Sequence, residues 1–291
     1  MHTPRFGIST HLFHEQRLDR EHLVKIAAHG FESVELFATR AHFDYQDAAV
    51  VAQVREWLDE SGMVAHSLHA PIVDAIRNGR WVGSYSIAAG DEALRRRGVQ
   101  AIGAALRVRE HIPYGVLVVH VGVPDEAESA PAANHRAAAM RSLEELYPQA
   151  VAVGVRIALE VIPNALSPAP ALVQLIEDEL DLPDLGICLD TGHANLQGDV
   201  TDAIDAASGY LLATHVHDNR GRGDDHLPPF EGTIDWPSVV MTFAKVGYDG
   251  TLMLEVGGGA DPGAMLVRAA RARERLEELA SAGTFEFDGD T

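Results

Sequence analysis

The sequence predicts a single α/β domain, a (β/α)8 TIM barrel, on three observations. Short apolar runs alternate with longer helical patterns along almost the whole chain of 291 residues. Eight such runs can be counted, and eight strand–helix units in alternation are typical of a closed parallel barrel. Several runs are β-branched and nearly continuous in apolar character, which suits strands buried on both faces. A doubly wound sheet is the alternative, but it seldom needs eight regular units.

The strands are predicted where these apolar runs occur, as in Gly115-Val-Leu-Val-Val-His120. In chain order the eight runs are residues 6–9, 33–37, 64–69, 116–121, 156–160, 185–190, 213–217 and 251–256.

Helices are predicted between the strands. In the first, Leu18, His22 and Ile26 follow helical spacing, and Gly30 comes where a C-cap is expected. The predicted helices are residues 18–29, 48–60, 91–110, 135–153, 169–180, 200–208, 236–246 and 262–280.

One domain, residues 1–282, accounts for nearly the whole chain. Residues 283–291 read as a polar, acidic C-terminal tail that we expect to fray. The segment 71–90 is a long loop after the third strand, and long loops on one face of a barrel usually belong to the functional site.

The composition excludes several classes of protein. The 23 Lys+Arg and 43 Asp+Glu leave a net charge of −20. This charge argues against nucleic-acid binding, because proteins bind the phosphate backbone through clustered Lys and Arg. The single cysteine excludes an internal disulfide framework. No stretch approaches about 18 uninterrupted apolar residues, and no signal peptide is evident, so we expect a cytoplasmic protein without a membrane span. The unusual number is the 15 histidines.

Six consecutive predicted strands each end in a His, Asp or Glu. The active site of such a barrel lies at the carboxyl ends of its strands, so these side chains converge on one rim. Carboxylate and imidazole groups are the ligands of Zn²⁺, Mn²⁺ and related cations, and burying them together is costly without a compensating charge. The pattern therefore predicts a metal site built from His69, His120, Glu160, Asp190, His193, His215 or His217, Asp224, His226 and Glu255.

Each of these residues also has a structural interpretation when taken alone. His69 and His120 are the weakest members, since they could instead orient a ligand or contact a substrate. His215 and His217 lie two apart and share a strand face, so the sequence does not say which is the better ligand. His66 lies three residues before His69, so strand alternation predicts that it points to the opposite face.

At these residues the chain resembles the xylose-isomerase-like TIM-barrel superfamily. This superfamily includes sugar phosphate isomerases and epimerases, ketohexose 3-epimerases, inosose dehydratases and endonuclease-IV-type AP endonucleases. The resemblance runs through Phe6-Gly-Ile-Ser9, Gly30-Phe-Glu-Ser-Val-Glu-Leu-Phe37 and Leu252-Met-Leu-Glu255. Its most specific motifs are Leu189-Asp-Thr-Gly-His193, His215-Val-His-Asp-Asn219 and the segment 224–236. They are typical of the superfamily and not of one activity.

The resemblance implies two ligand patterns. In the epimerase and isomerase branches one divalent metal is held by a Glu, an Asp, a His and a Glu, and the two glutamates are also the acid/base pair. Here those ligands are Glu160, Asp190, His215 or His217, and Glu255. In the endonuclease-IV-type branch nine ligands hold three zinc ions, and all nine positions are occupied: His69, His120, Glu160, Asp190, His193, His215, Asp224, His226 and Glu255. We therefore expect one to three divalent ions, drawn from Zn, Mn, Mg and Co.

The first functional hypothesis is a metal-dependent isomerase or epimerase of a small sugar, sugar phosphate or polyol. The metal would act as a Lewis acid on a carbonyl and the adjacent hydroxyl. Glu160 and Glu255, on opposite faces of the substrate, would remove and return the proton next to that carbonyl. The expected substrate contacts are His193, His217, Arg220, Arg222 and Glu35. A solvated charge is the alternative for each arginine, and a salt bridge is the alternative for Glu35.

Two other reaction classes are open at this point. An endonuclease-IV-like zinc phosphodiesterase or AP endonuclease would use the metals to activate a hydroxide. The loops 162–168 and 257–262 carry no basic residue, which argues against DNA. A dehydratase or lyase of the inosose dehydratase type begins with the same proton abstraction. A metal-binding protein without activity is the remaining alternative. Members of this superfamily are often dimers or tetramers, so a homo-oligomer is expected by analogy alone.

Overall fold

The predicted barrel is confirmed by the computed structural model, which describes residues 5–77 and 80–283. Within these ranges eight parallel strands close in the order β1-β10-β9-β8-β7-β6-β3-β2, and a separate antiparallel pair, β4–β5, lies in the loop after β3. The strands are β1 (Arg5–Ser9), β2 (Ser33–Phe37), β3 (Val64–His69), β4 (Ala75–Arg77), β5 (Arg80–Val82), β6 (Val116–His120), β7 (Arg156–Glu160), β8 (Gly186–Asp190), β9 (Leu211–Val216) and β10 (Thr251–Leu254).

Helices follow the barrel strands and pack on the outside. They are α1 (Arg20–Ala28), α2 (Ala48–Ser61), α3 (Glu92–Leu106), α4 (Ala130–Ala133), α5 (Arg136–Val153), α6 (Ala169–Gln174), α7 (Thr191–Gln197), α8 (Val200–Ala206), α9 (Trp236–Lys245) and α10 (Pro262–Gly283). The short helices α4 and α7 were not predicted. A turn of 3-10 helix, Thr10–Phe13, follows β1, and a π-helical turn, Leu175–Glu179, extends α6.

The helix boundaries follow from residues that satisfy free backbone groups. Asp47 accepts hydrogen bonds from Ala49 N and Val50 N and so begins α2. Gly62 ends the same helix with a φ of 69°, a left-handed conformation that glycine adopts without a steric penalty.

Along β6 the interior face of the barrel changes from apolar residues to a polar one. Val116 and Val118 lie in a cluster of strand residues that also contains Cys188. Leu117 and Val119 alternate with them and belong to the main core between strands and helices. His120 follows Val118 on the interior face, so the barrel is packed below and presents ionisable groups at its carboxyl end.

The loop 71–90 contains the β4–β5 hairpin. Of the predicted tail 283–291, Gly283 ends α10 and the remainder lies outside the described residues. Within the part of the chain that the structure describes, no helix is long and apolar enough to cross a membrane.

Candidate metal centre

The carboxyl ends of the strands bring ionisable side chains together through strand register. In β6 and β7 His120 lies opposite Glu160, and in β8 and β9 Asp190 lies opposite His215. Residues opposite one another in adjacent strands project from the same face of the sheet. Glu160, Asp190 and His215 are each 0 % exposed, so this is a buried ionisable cluster.

Glu160 lies among three histidines from three different strands. Its Oε2 is 3.3 Å from Nε2 of His69 and 3.0 Å from Nε2 of His120. Its Oε1 is 3.1 Å from Nδ1 of His215. The two oxygens of this carboxylate therefore face two different sets of nitrogen atoms.

His215 is the histidine that joins the carboxylates. Ligand atoms of Glu160, Asp190, His215 and Glu255 all lie within 4.8 Å of one another, and all four residues are buried. Nδ1 of His215 is 3.4 Å from Oε2 of Glu255 and 3.8 Å from Oδ2 of Asp190. We call these four residues the central cluster.

A second group, the outer cluster, consists of His193, His217, Asp224 and His226. Oδ2 of Asp224 is 3.1 Å from Nε2 of His193 and 3.0 Å from Nε2 of His226. His193 is held there by its own helix, because Asp190 ends β8 and caps α7 by accepting a hydrogen bond from His193 N at 2.7 Å. Asp190 thereby connects the outer cluster to the central one.

The buried carboxylates stabilise the protonated, positively charged forms of the neighbouring histidines. Burial opposes charging of His193, but Asp190 and Asp224 outweigh it and raise the pKa of His193 to about 9. Burial likewise opposes charging of His226, whose pKa is raised to about 10 chiefly by Asp224. Burial would raise the pKa of Glu160, yet His120 and His215 hold it well below its usual value. The site thus stabilises cations among buried carboxylates.

The donor set fits a divalent cation. Carboxylate oxygens and imidazole nitrogens suit Zn²⁺ and Mn²⁺, and both clusters offer at least three such atoms. Oε2 of Glu160 and Nδ1 of His217 are buried, and neither has a hydrogen-bond partner of acceptable geometry among the described residues. A buried acceptor without a donor is costly, and a bound cation would satisfy Oε2 of Glu160.

Every predicted ligand lies in one of these groups. His215 belongs to the central cluster, whereas His217 lies in the outer one with Nε2 2.9 Å from Oδ1 of Asp190. The two clusters, together with the histidines around Glu160, include all nine positions of the three-zinc ligand pattern. These positions are His69, His120, Glu160, Asp190, His193, His215, Asp224, His226 and Glu255.

Two of the predicted substrate contacts, Glu35 and His217, lie among buried protein groups, and their contact with a substrate stays a prediction. Both are 0 % exposed. Glu35 contacts His215, and Nε2 of His217 contacts Asp190, whereas Nδ1 of His217 has no hydrogen-bond partner among the described residues. Arg220 and Arg222 are exposed in the loop after β9, and Nη1 of Arg220 lies 3.7 Å from Oδ2 of Asp225.

Sequence reasoning missed two kinds of supporting residue. Ser9 and Ser67 donate hydrogen bonds to Glu35 at 3.1 and 2.8 Å. Ser67 lies two residues before His69 on one strand, so period-two alternation could have found it. Asp218 is 0 % exposed and accepts a hydrogen bond from Nε1 of Trp236 at 2.9 Å, which anchors the loop that carries Asp224. No local pattern indicates that long-range contact.

Sequence comparison identifies the family to which the chain belongs. The family model of the xylose isomerase-like TIM barrel matches residues 23–280. The chain belongs to this family. The resemblance noted in the sequence motifs is thereby confirmed.

Two relatives are similar to this chain over two thirds or more of its length. An uncharacterised protein of Methanocaldococcus jannaschii is 27% identical over 259 residues, which cover 86% of this chain and 83% of that protein. The L-ribulose-5-phosphate 3-epimerase of Salmonella paratyphi C is 24% identical over 200 residues, covering 67% of this chain and 69% of the epimerase.

Solved structures show the same architecture. A D-tagatose 3-epimerase-like protein superposes with a TM-score of 0.80 at 26% identity, covering 97% of this chain and 99% of that chain. A D-psicose 3-epimerase superposes with a TM-score of 0.76 over 95% of this chain and 99% of that chain. The latter is 17% identical, so that likeness shows the fold alone.

Proposed function

We propose that the protein is a divalent-metal-dependent epimerase or isomerase of a small sugar, sugar phosphate or polyol. The observation that carries the proposal is the central cluster, in which Glu160, Asp190, His215 and Glu255 offer four ligand atoms within 4.8 Å of one another. The similar proteins support a sugar substrate, since they include an L-ribulose-5-phosphate 3-epimerase and a D-tagatose 3-epimerase-like protein.

Glu160, Asp190, His215 and Glu255 would hold the metal. A divalent cation bound there would supply Lewis acidity toward a carbonyl and its neighbouring hydroxyl. This chain's own contribution is proton transfer, for which a carboxylate must reach the carbon next to the carbonyl. Glu160 ends β7 and Glu255 follows β10, and both carboxylates lie near Nδ1 of His215. One of them would take a proton and the other would return it.

Burial of the cluster supports this chemistry. Glu255 is 3 % exposed and Glu160 is 0 % exposed, so a proton removed by either carboxylate is kept from bulk water. His193, a member of the outer cluster, is 4 % exposed and has Nδ1 3.6 Å from Oε1 of Glu160, so its imidazole can bind a substrate hydroxyl or a metal. Homo-oligomerisation and a cytoplasmic location remain predictions from the sequence.

Proton exchange tests the proposal directly. Metal-loaded protein is incubated with ketoses and inososes in heavy water, and deuterium uptake next to the carbonyl is followed by NMR. We expect uptake that falls at least about 100-fold in Glu160→Gln and in Glu255→Gln, which is the usual size of a general acid–base contribution. Glu56→Gln, on the exposed face of α2, is the matched control and should leave uptake unchanged. Absence of uptake from every sugar would overturn the proposal.

A second candidate function is a multinuclear phosphodiesterase. The outer cluster favours it, because His193, Asp224 and His226 supply ligands beyond those that an epimerase uses. The net charge of −20 opposes a DNA substrate. Cleavage of a duplex with an abasic site, together with no deuterium uptake from sugars, would favour this alternative.

A further inference from the structure

Glu35 is a buried carboxylate that contacts the central cluster without belonging to it. It is 0 % exposed, and its Oε1 lies 3.0 Å from Nε2 of His215. Its other contacts are hydroxyl donors, with Ser9 Oγ 3.1 Å from Oε1 and Ser67 Oγ 2.8 Å from Oε2. Each carboxylate oxygen therefore has a protein partner, and Glu35 has a single orientation that satisfies all of them.

Strand register holds Glu35 in this orientation. Ser9 in β1 and Ser67 in β3 lie directly opposite Glu35 on its two neighbouring strands. The pairing with β3 shifts between Val34 and Glu35, because Val34 lies opposite Ala65 while Glu35 lies opposite Ser67. This one-residue bulge brings the Ser67 hydroxyl onto the face that Glu35 occupies, and bulges commonly re-aim side chains beside functional sites.

The two ring nitrogens of His215 consequently face different groups. Nε2 faces Glu35, whereas Nδ1 lies 3.1 Å from Oε1 of Glu160 and 3.4 Å from Oε2 of Glu255. An imidazole that donates one N–H to a carboxylate has its tautomer fixed, and its other nitrogen then presents a lone pair. The carboxylate that accepts from one ring nitrogen also makes the other nitrogen, which carries the lone pair, a more basic metal ligand.

We propose that Glu35 is a positioning residue for the metal centre: held by Ser9 and Ser67, it fixes the tautomer of His215 so that Nδ1 is the atom that binds the cation. This inference rests on the metal site of the proposed function and adds to it a residue and an atom. It accounts for the presence of a fully buried carboxylate in the middle of β2.

Metal affinity tests the role of Glu35, with Mn²⁺ as the probe and the free-ion signal in electron paramagnetic resonance as the readout. His215→Gln first identifies the binding step that belongs to the central cluster. We expect Glu35→Gln to weaken that same step by about 10- to 100-fold, the usual effect of removing a partner of a ligand. Glu56→Gln is the control and should bind as the unaltered protein does. Unaltered Mn²⁺ affinity in Glu35→Gln would overturn the inference.

A second measurement reads the ligand atom itself. In protein loaded with ¹¹³Cd and labelled with ¹⁵N-histidine, we expect a one-bond Cd–N coupling at Nδ1 of His215 that disappears in His215→Gln. Coupling at Nε2 would overturn the inference. If Glu35→Gln does not fold, the double variant Ser9→Ala/Ser67→Ala keeps Glu35 but removes its hydroxyl donors. It should weaken Mn²⁺ binding several-fold, and unchanged binding would count against the inference equally.

The inference and the proposed function can fail separately. Weaker Mn²⁺ binding in Glu35→Gln without deuterium uptake from any sugar by the unaltered protein would support the positioning role and overturn the epimerase. Deuterium uptake by the unaltered protein, with full Mn²⁺ affinity in Glu35→Gln, would overturn the positioning role alone.

Discussion

Nε2 of His217 lies 2.9 Å from Oδ1 of Asp190, and this contact distinguishes two histidines that the sequence leaves equivalent. His215 instead directs Nδ1 into the space between Glu160 and Glu255. His217 therefore acts on the central cluster through Asp190, whereas His215 contributes a ligand atom directly.

Replacing these two histidines should give different metal affinities. We expect His215→Gln to abolish measurable binding at the central cluster, because it removes one of four ligand atoms. His217→Gln should weaken binding by about 10-fold, since it removes only the partner that orients Asp190. Calorimetric titration with Mn²⁺ measures both. Equal losses in the two variants would contradict the separate roles that the geometry indicates.

The outer cluster should hold an ion of its own. Saturated protein is expected to contain more than one divalent metal per chain, because His193, Asp224 and His226 converge apart from the central cluster. His226→Ala should lose one of these ions and keep the other. Elemental analysis after dialysis counts them. One metal per chain at saturation, unchanged in His226→Ala, would exclude a multinuclear site.

Asp218 should stabilise the loop that carries the outer cluster. Its side chain is 0 % exposed and accepts hydrogen bonds from four donors. These donors are Asn219 N, Phe230 N, Ile234 N and Trp236 Nε1. Asp218→Asn places an amide donor against these donors, so we expect a loss of about 3 kcal/mol in unfolding free energy. Urea denaturation measures it, and the exposed Asp249→Asn should be nearly neutral. A loss below about 1 kcal/mol would contradict the anchoring role.

Arg220 and Arg222 should matter little for an uncharged sugar. Both are exposed, and Arg220 already has Asp225 nearby. We expect Arg220→Ala/Arg222→Ala to leave kcat/KM for neutral ketoses within about 2-fold and stability within about 1 kcal/mol, as for most exposed ion pairs. Steady-state kinetics on a neutral ketose and its phosphate ester makes the comparison. A large loss of kcat/KM on the neutral sugar would instead support the predicted contact of these arginines with the substrate.

Strand ends were predictable, because apolar runs and their terminal His, Asp or Glu are local features of the sequence. The barrel topology then brings Glu160, Asp190, His215 and Glu255 to one rim without further information. These four residues share one property, which is that each stands at or beside the last residue of its strand.

Register irregularities were not predictable from local pattern. The bulge in β3 pairs Glu35 with Ser67 and leaves His66 as the extra residue. The prediction that His66 points to the face opposite His69 was therefore wrong. The His66 side chain points into the barrel, where Nδ1 lies 3.5 Å from Oγ1 of Thr251 in β10. The role of Glu35 depends on the same bulge, and pairing with a neighbouring strand is information that a single strand's sequence does not contain.

His42 should make stability depend on pH outside the metal centre. It is 0 % exposed, its Nδ1 lies 2.6 Å from Gln16 O, and burial lowers its pKa from 6.5 to about 4. Below pH 6.5 the unfolded chain takes up a proton at His42 that the folded chain does not. This residue's contribution is therefore complete above pH 6.5 and is lost as the pH falls toward 4, by about 3 kcal/mol in total.

The variant His42→Asn isolates that contribution from the other titrating groups. The unfolding free energy, measured with urea at pH 6.5 and at pH 4.5, should fall less between the two pH values in His42→Asn than in the unaltered protein. His111→Gln, which changes an exposed histidine, should keep the full fall. If His42→Asn and the unaltered protein show the same pH dependence, then His42 is not held neutral by burial, and its hydrogen bond to Gln16 outweighs the loss of hydration.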